Sequence, residues 1–288
     1  MSRSSIDIED IDAKSIITKS QIGEDMYVAN PYIGCAHSCI YCYAVFIRRF
    51  TNHNNQKWGT FIDIKHWKKL TERQKMKYVG KWVMISSTTD PYQKIVEEID
   101  GRTRELLLEL KDSGVNVAIL TKSNLVLRDL ELLKSFKGKV AVGVSINTTD
   151  EELRTEQDRA SCIQDRIDVL KAFHKEGIYT YCFIAPVFPI LTNLKKVMNA
   201  VKKYVNEIWI DSLNLSDSNV KNIVYKYIEK KHPELLELYT DIYTNKNKSY
   251  FDELKISVRE WCQKNNAKYV QNVLSNYNRK KLTVLDFM

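Results

Sequence analysis

Apolar residues along this chain fall in short continuous runs rather than in long stretches. Met26 to Ala29, Lys81 to Ile85, Val115 to Leu120, Val140 to Ile146, Ile178 to Ile184 and Glu207 to Ile210 each read as a strand. Between them lie segments with helical character: Phe46 to Phe50, Arg104 to Lys111 with its leucines on one face, and 124–135, 163–176 and 191–204. Six strands with interposed helices predict an α/β fold around a parallel sheet. Residues 1–20 are polar and read as a loose N-terminal arm, 21–215 as the α/β domain, and 216–288 as a mainly helical C-terminal extension.

In parallel α/β sheets, ligands bind beyond the carboxyl ends of the strands. Polar residues gather at those positions here. Ser86 to Asp90, Thr121-Lys122-Ser123, Ser145 with Asn147, and Asp211 to Asn214 each follow an apolar strand, so one end of the sheet carries hydroxyls, a lysine and amides.

The first strand runs into Gly34-Cys35-Ala36-His37-Ser38-Cys39-Ile40-Tyr41-Cys42, a Cys-x3-Cys-x2-Cys spacing. One short loop can then offer three thiolates to an iron-sulfur cube, with no fourth cysteine nearby. A [4Fe-4S] cluster held by three cysteines leaves one iron open to another ligand. S-adenosylmethionine suits that iron: its amino and carboxylate groups can chelate it, and an electron from the cluster can cleave a carbon-sulfur bond to give methionine and a 5'-deoxyadenosyl radical. The competing assignment is zinc, held by Cys35, Cys39, Cys42 and His37. Zinc sites more often join two ligand pairs across a longer stretch, and His37 sits between two of the other ligands. A disulfide framework would leave an odd cysteine in this group.

Cys35, Cys39 and Cys42, with Tyr41 before the last of them, resemble the radical S-adenosylmethionine superfamily, in its spore photoproduct lyase branch. The likeness continues in order through Trp58 to Lys65, Thr89-Asp90-Pro91-Tyr92-Gln93, Thr121-Lys122-Ser123 with Leu127 to Leu130, Val144-Ser145-Ile146, and Ile184-Ala185-Pro186 with Pro189, over residues 25 to 215. It implies that 21–215 is a partial (β/α)6 radical SAM barrel, open along one side, with the cysteine loop at its mouth. It also implies that Tyr41 lies along the adenine and that Thr89, Lys122 and Ser145 contact S-adenosylmethionine. The alternatives are that the strand-end Ser and Thr cap helices and that Lys122 is a surface charge. One position departs from that branch. A cysteine there returns a hydrogen atom to thymine, and this chain has Ser87, whose O–H bond is too strong to do so readily.

Composition adds limits. The chain has 288 residues, 44% of them hydrophobic and 10% aromatic, enough for one substantial core. No apolar run approaches the roughly 20 residues of a membrane span, and the N-terminus lacks a secretory apolar region, so a cytoplasmic location is expected. Cys162, Cys182 and Cys262 stand alone and read as small packed residues. A net charge of +8 admits a nucleic-acid partner, although the lysine pairs 68–69, 195–196, 202–203 and 230–231 also suit solvated helix faces. Asp90 is either a turn former before Pro91 or a contact to ribose or substrate. Tyr41 and Tyr43 could carry a radical but more often pack, while Arg48, Arg49 and His53 read as solvated charges, with substrate contacts as the alternative.

These features point to a radical S-adenosylmethionine enzyme that abstracts hydrogen from an organic substrate. A nucleic-acid lesion or nucleotide is the first substrate expected, and a peptide or small metabolite the second. An electron donor such as flavodoxin or ferredoxin is implied. The reading from another class is a zinc-binding or nucleic-acid-binding module without catalysis.

Overall fold

All six apolar runs form strands, and the computed structural model, which describes residues 6–20 and 26–271, assembles them side by side. In chain order the strands are β1 (Asp7–Ala13), β2 (Ile17–Lys19), β3 (Met26–Ala29), β4 (Tyr32–Ile33), β5 (Phe61–Trp67), β6 (Trp82–Ile85), β7 (Asn116–Thr121), β8 (Val140–Ser145), β9 (Tyr179–Val187), β10 (Glu207–Ser212) and β11 (Tyr269–Gln271). An eight-stranded sheet runs β11-β10-β9-β8-β7-β6-β3-β2. Its neighbours are parallel throughout except at the β2 edge, where β2 pairs antiparallel with β3. This is the expected α/β fold, a partial barrel in which the helical segments return the chain to the same end of the sheet.

Alternation along the strands sorts side chains onto two faces. On one, Val83, Ile85, Val117, Ile119, Val142, Val144, Cys182 and Ile184 join leucines of helix Arg102–Leu110 and Val169, Leu170 and Phe173 of helix Ile163–Lys175 in the large core. On the other, Met26, Trp82, Ala118, Ala141, Tyr181 and Trp209 pack together, one from each of six parallel strands. Gly143 makes that inner packing possible. A Cβ there would lie 2.2 Å from the Tyr181 ring, whose hydroxyl donates across the sheet to the Ile119 carbonyl at 3.0 Å.

The polar stretch over 1–20, read as a loose arm, carries two strands. β1 pairs parallel with β5, which also pairs with β4 in a second, three-stranded sheet. Acidic residues make up much of β1 and disfavour a strand locally, but pairing and the histidines of its neighbours override that preference: His66 Nε2 lies 2.6 Å from Asp10 Oδ1. The C-terminal extension is helical over Ser218–Lys231, Leu236–Tyr243 and Ser249–Asn265, then adds β11 to the main sheet. Residues 1–5, 21–25 and 272–288 lie outside the described residues. Among the described residues, no helix is long and apolar enough to cross a membrane.

Candidate cofactor site

The cysteine loop connects β4 to a 3-10 helix, Tyr43–Phe50. It leaves β4 at Gly34, whose φ is +85° and whose missing Cβ would stand 2.3 Å from the Phe61 carbonyl oxygen. Only glycine fits that approach. Two turns follow: Ser38 N–H donates to the Cys35 carbonyl at 3.3 Å and Cys42 N–H to the Cys39 carbonyl at 3.2 Å. Cys35 is buried, Cys39 and Cys42 are half-buried, and all three are free thiols.

Distant residues hold the loop through its backbone. Gln93 accepts from Ala36 N–H at 2.6 Å and donates to the Gly34 carbonyl at 3.3 Å, and the Thr89 hydroxyl donates to that same carbonyl. From the other side, Ile40 N–H donates to the Gln157 carbonyl at 3.0 Å, while Arg159 N–H donates to the His37 carbonyl at 2.9 Å. Asp158, between them, is fully buried and meets Arg166 at 2.6 Å. Burial alone would raise the Asp158 carboxyl, but the nearby Arg166 and Lys122 cations hold it below its ordinary 3.8.

Asp90 joins three elements. One carboxylate oxygen accepts from Tyr92 N–H at 2.9 Å and the Thr121 hydroxyl at 2.7 Å, and the other accepts from Lys122 N–H at 2.8 Å and lies 3.4 Å from His37 Nδ1. The carboxylate is thus occupied by the protein itself, and its turn-forming role accounts for its position.

The predicted cofactor residues share one end of the sheet. Lys122 immediately follows β7, with its Nζ 5.8 Å from the centre of the Tyr41 ring. Tyr41 is buried edge-to-face against Phe188 and donates to Asp158 at 3.3 Å. Ser145 is buried at the end of β8, and its carbonyl accepts from Arg166 at 3.2 Å. The Thr89 hydroxyl serves the loop, accepting from Gln93 at 2.8 Å as well as donating to Gly34. Asp211 is half-buried at a bulge near the end of β10.

Burial pushes the Cys39 thiol up to about 12, with Lys122 pulling it down and Asp158 and Cys42 adding to the rise. Burial likewise raises Cys35 and Cys42. Such thiols keep their protons until a metal replaces them. The sulfurs influence one another, yet no three donor atoms of Cys35, Cys39, Cys42 and His37 lie within 4.8 Å of each other. Around one zinc at a Zn–S distance of about 2.3 Å, tetrahedral sulfurs would be about 3.8 Å apart. The donor set fits a larger group better than a single ion, and His37 is turned toward Asp90.

Other candidates fall elsewhere. His53, read as solvated, is buried (1% exposed), stacks on Phe61 and lies 2.7 Å from Asp63. Asp7 and Glu9 of β1 complete its surroundings at 3.7 and 3.8 Å, an environment hidden while β1 reads as a loose arm. Arg48 donates to the Gln56 carbonyl at 2.7 Å, and Arg49 pairs with Asp217 at 3.7 Å. Cys182 faces the helix layer, Cys262 is buried, and Cys162 caps helix Ile163–Lys175. The four lysine pairs are exposed, with 195–196 and 202–203 on one helical segment and its end and the other two elsewhere. Sequence reasoning missed Gln93, Gln157, Asp158 and Arg166 as supports of the loop.

Comparison with known proteins bears on the fold and the family. The chain is 34% identical to the uncharacterized protein MJ0683 of Methanocaldococcus jannaschii over 89% of its own length and 95% of that protein's. Its fold resembles spore photoproduct lyase complexed with a dinucleoside spore photoproduct, at TM-score 0.59 and 16% identity, covering 86% of this chain and 76% of the other. It also resembles Streptococcus suis SuiB bound to S-adenosylmethionine, at TM-score 0.54 and 13% identity, covering 94% of this chain and 51% of that one. The Radical SAM superfamily model matches residues 29–208, and the chain belongs to that superfamily of S-adenosylmethionine and iron-sulfur enzymes.

Proposed function

We propose that Cys35, Cys39 and Cys42 hold a [4Fe-4S] cluster and that the enzyme acts on a nucleic-acid lesion or nucleotide. When bound, the reduced cluster and S-adenosylmethionine supply a 5'-deoxyadenosyl radical that takes a hydrogen atom from the substrate. The observation that carries this reading is a set of three buried or half-buried thiols too widely spread for one zinc, at the same sheet end as Lys122 and Ser145. Lys122 offers an ammonium to the S-adenosylmethionine carboxylate, Ser145 a polar contact at the strand end, and Tyr41 a ring for the adenine. Thr89 acts through the Gly34 carbonyl, setting the loop rather than touching the ligand.

Flavodoxin or ferredoxin supplies the electron in this reading, in a cytoplasmic setting. Basic composition supports the nucleic-acid substrate, as does the dinucleoside held by a protein of similar fold. Hydrogen return by a protein thiol at residue 87 is not part of the proposal. Ser87 occupies that position, and Cys182 faces the opposite side of the sheet. A second reading, a peptide substrate, draws on the likeness to SuiB bound to precursor peptide SuiA, at TM-score 0.53.

Anaerobic reconstitution with iron and sulfide, then dithionite and S-adenosylmethionine, tests the assignment through release of 5'-deoxyadenosine. The expected result is formation by the parent protein and complete loss in Cys42→Ala. A colourless, zinc-loaded protein, or undiminished formation in Cys42→Ala, would overturn it.

A further inference from the structure

The segment leaving the cluster loop has an unusual distribution of exposure. Tyr43 is 54% exposed and Phe46 39% exposed, and the Arg49 side chain is 71% exposed. Ala44 is buried, while Val45, Ile47 and Arg48 are half-buried. Residues three apart eclipse one another in a 3-10 helix, with about 6 Å between successive turns. Tyr43, Phe46 and Arg49 therefore stand in one row on the helix Tyr43–Phe50. The row begins beside the ligand Cys42 and points outward.

Its inner end is fixed to the barrel mouth. The Tyr43 hydroxyl donates to the Ser87 carbonyl just beyond β6. Its outer end has an exposed guanidinium that meets Asp217 at 3.7 Å, a weak pairing that leaves other N–H groups to donate. Tyr43 and Phe46 each keep part of a large ring in solvent, and Phe50 beside Arg49 is 79% exposed, whereas a cluster-loop helix that needed only to pack would bury its rings.

We propose that Tyr43, Phe46 and Arg49 form a track for an unstacked, single-stranded segment of nucleic acid, leading a base to the barrel mouth. The inference rests on the nucleic-acid reading above. The rings offer faces on which bases stack, and Arg49 contacts a phosphate. Spacing decides between single strand and duplex. Stacked base pairs repeat at about 3.4 Å, which does not match rings about 6 Å apart, whereas splayed bases can take successive ring positions.

Fluorescence anisotropy of the reconstituted holoenzyme with a short labelled oligonucleotide, as single strand and as duplex, tests the track. The single strand is expected to bind more tightly than the duplex. Phe46→Ala should weaken single-strand binding about tenfold, with Phe46→Trp restoring it. Arg49→Gln should lower the slope of log affinity against log salt by about 0.7. Unchanged melting temperature and iron content establish that these variants are folded and loaded. If the parent binds no oligonucleotide even at low salt, while a labelled unstructured polypeptide does bind, both the track and the nucleic-acid substrate fall. If the parent binds single strands but Phe46→Ala and Arg49→Gln bind equally well, or the duplex binds as tightly, the track alone falls.

Discussion

The two halves of the cysteine loop are held in opposite ways. From Gly34 to Tyr41 the backbone is gripped by Gln93 and Thr89 on one side and by the 157–159 segment on the other, with Asp158 locked to Arg166 beneath. From Tyr43 onward the chain exposes three rings, those of Tyr43, Phe46 and Phe50, and a guanidinium to solvent. The gripped half contains the residues that position thiols, where small displacements would misplace a cofactor. In the proposed reading, the open half begins where a substrate arrives. The first is held through its backbone, the second through side chains that reach Ser87, Gln56 and Asp217.

Removing the grip should have the largest structural effect. Arg166→Leu leaves the Asp158 carboxylate buried without its nearest cation and should destabilise the protein by about 3–5 kcal/mol, seen as a large fall in melting temperature. A wild-type melting temperature would show that the segment is held otherwise. Gly34→Ala forces a Cβ onto the Phe61 carbonyl from a positive φ. It should cost about 1–3 kcal/mol and lower the iron bound on reconstitution, measured per mole of protein.

Acid should loosen the same half. The Asp158 carboxyl lies below its ordinary 3.8 in the folded protein, so its stabilising contribution is complete above that pH and fades as pH falls through the lower folded value. A melting-temperature profile is expected to drop below about pH 4, with the Asp158 share of that drop absent in Asp158→Asn. At the small end of the range, Phe46→Ala on the open half should change stability by no more than about 0.5 kcal/mol, read by urea denaturation. A loss of several times that size would make Phe46 a packing residue and erase the contrast.

Much of this organisation is visible in local sequence. Apolar runs such as Val115 to Leu120 mark strands because covering on both faces leaves little place for polar residues, and the cysteine spacing marks the loop because ligands within one loop must be close in sequence. The supports were hidden for the converse reason. Asp158 lies 117 positions from Tyr41, which it receives a hydrogen bond from, and nothing in its neighbours distinguishes it from a surface acid. His53 was obscured by a similar non-local partnership, since its acidic surroundings include β1, whose own residues favour solvent. Thr89, read as a ligand contact, also braces the loop through the Gly34 carbonyl, a role that its position in the sequence does not display.

Gly143 and Tyr181 have a kinetic consequence. With Met26, Trp82, Ala118, Ala141 and Trp209, the Tyr181 ring fills the inner face of the sheet. In the proposed reading, cofactor and substrate share the strand-end side near Lys122 and Ser145 and must queue. A cofactor seated against Lys122 and Ser145 would enter ahead of a substrate lying over Tyr43 and would depart after its product, giving an ordered cycle whose last step is release of the innermost occupant.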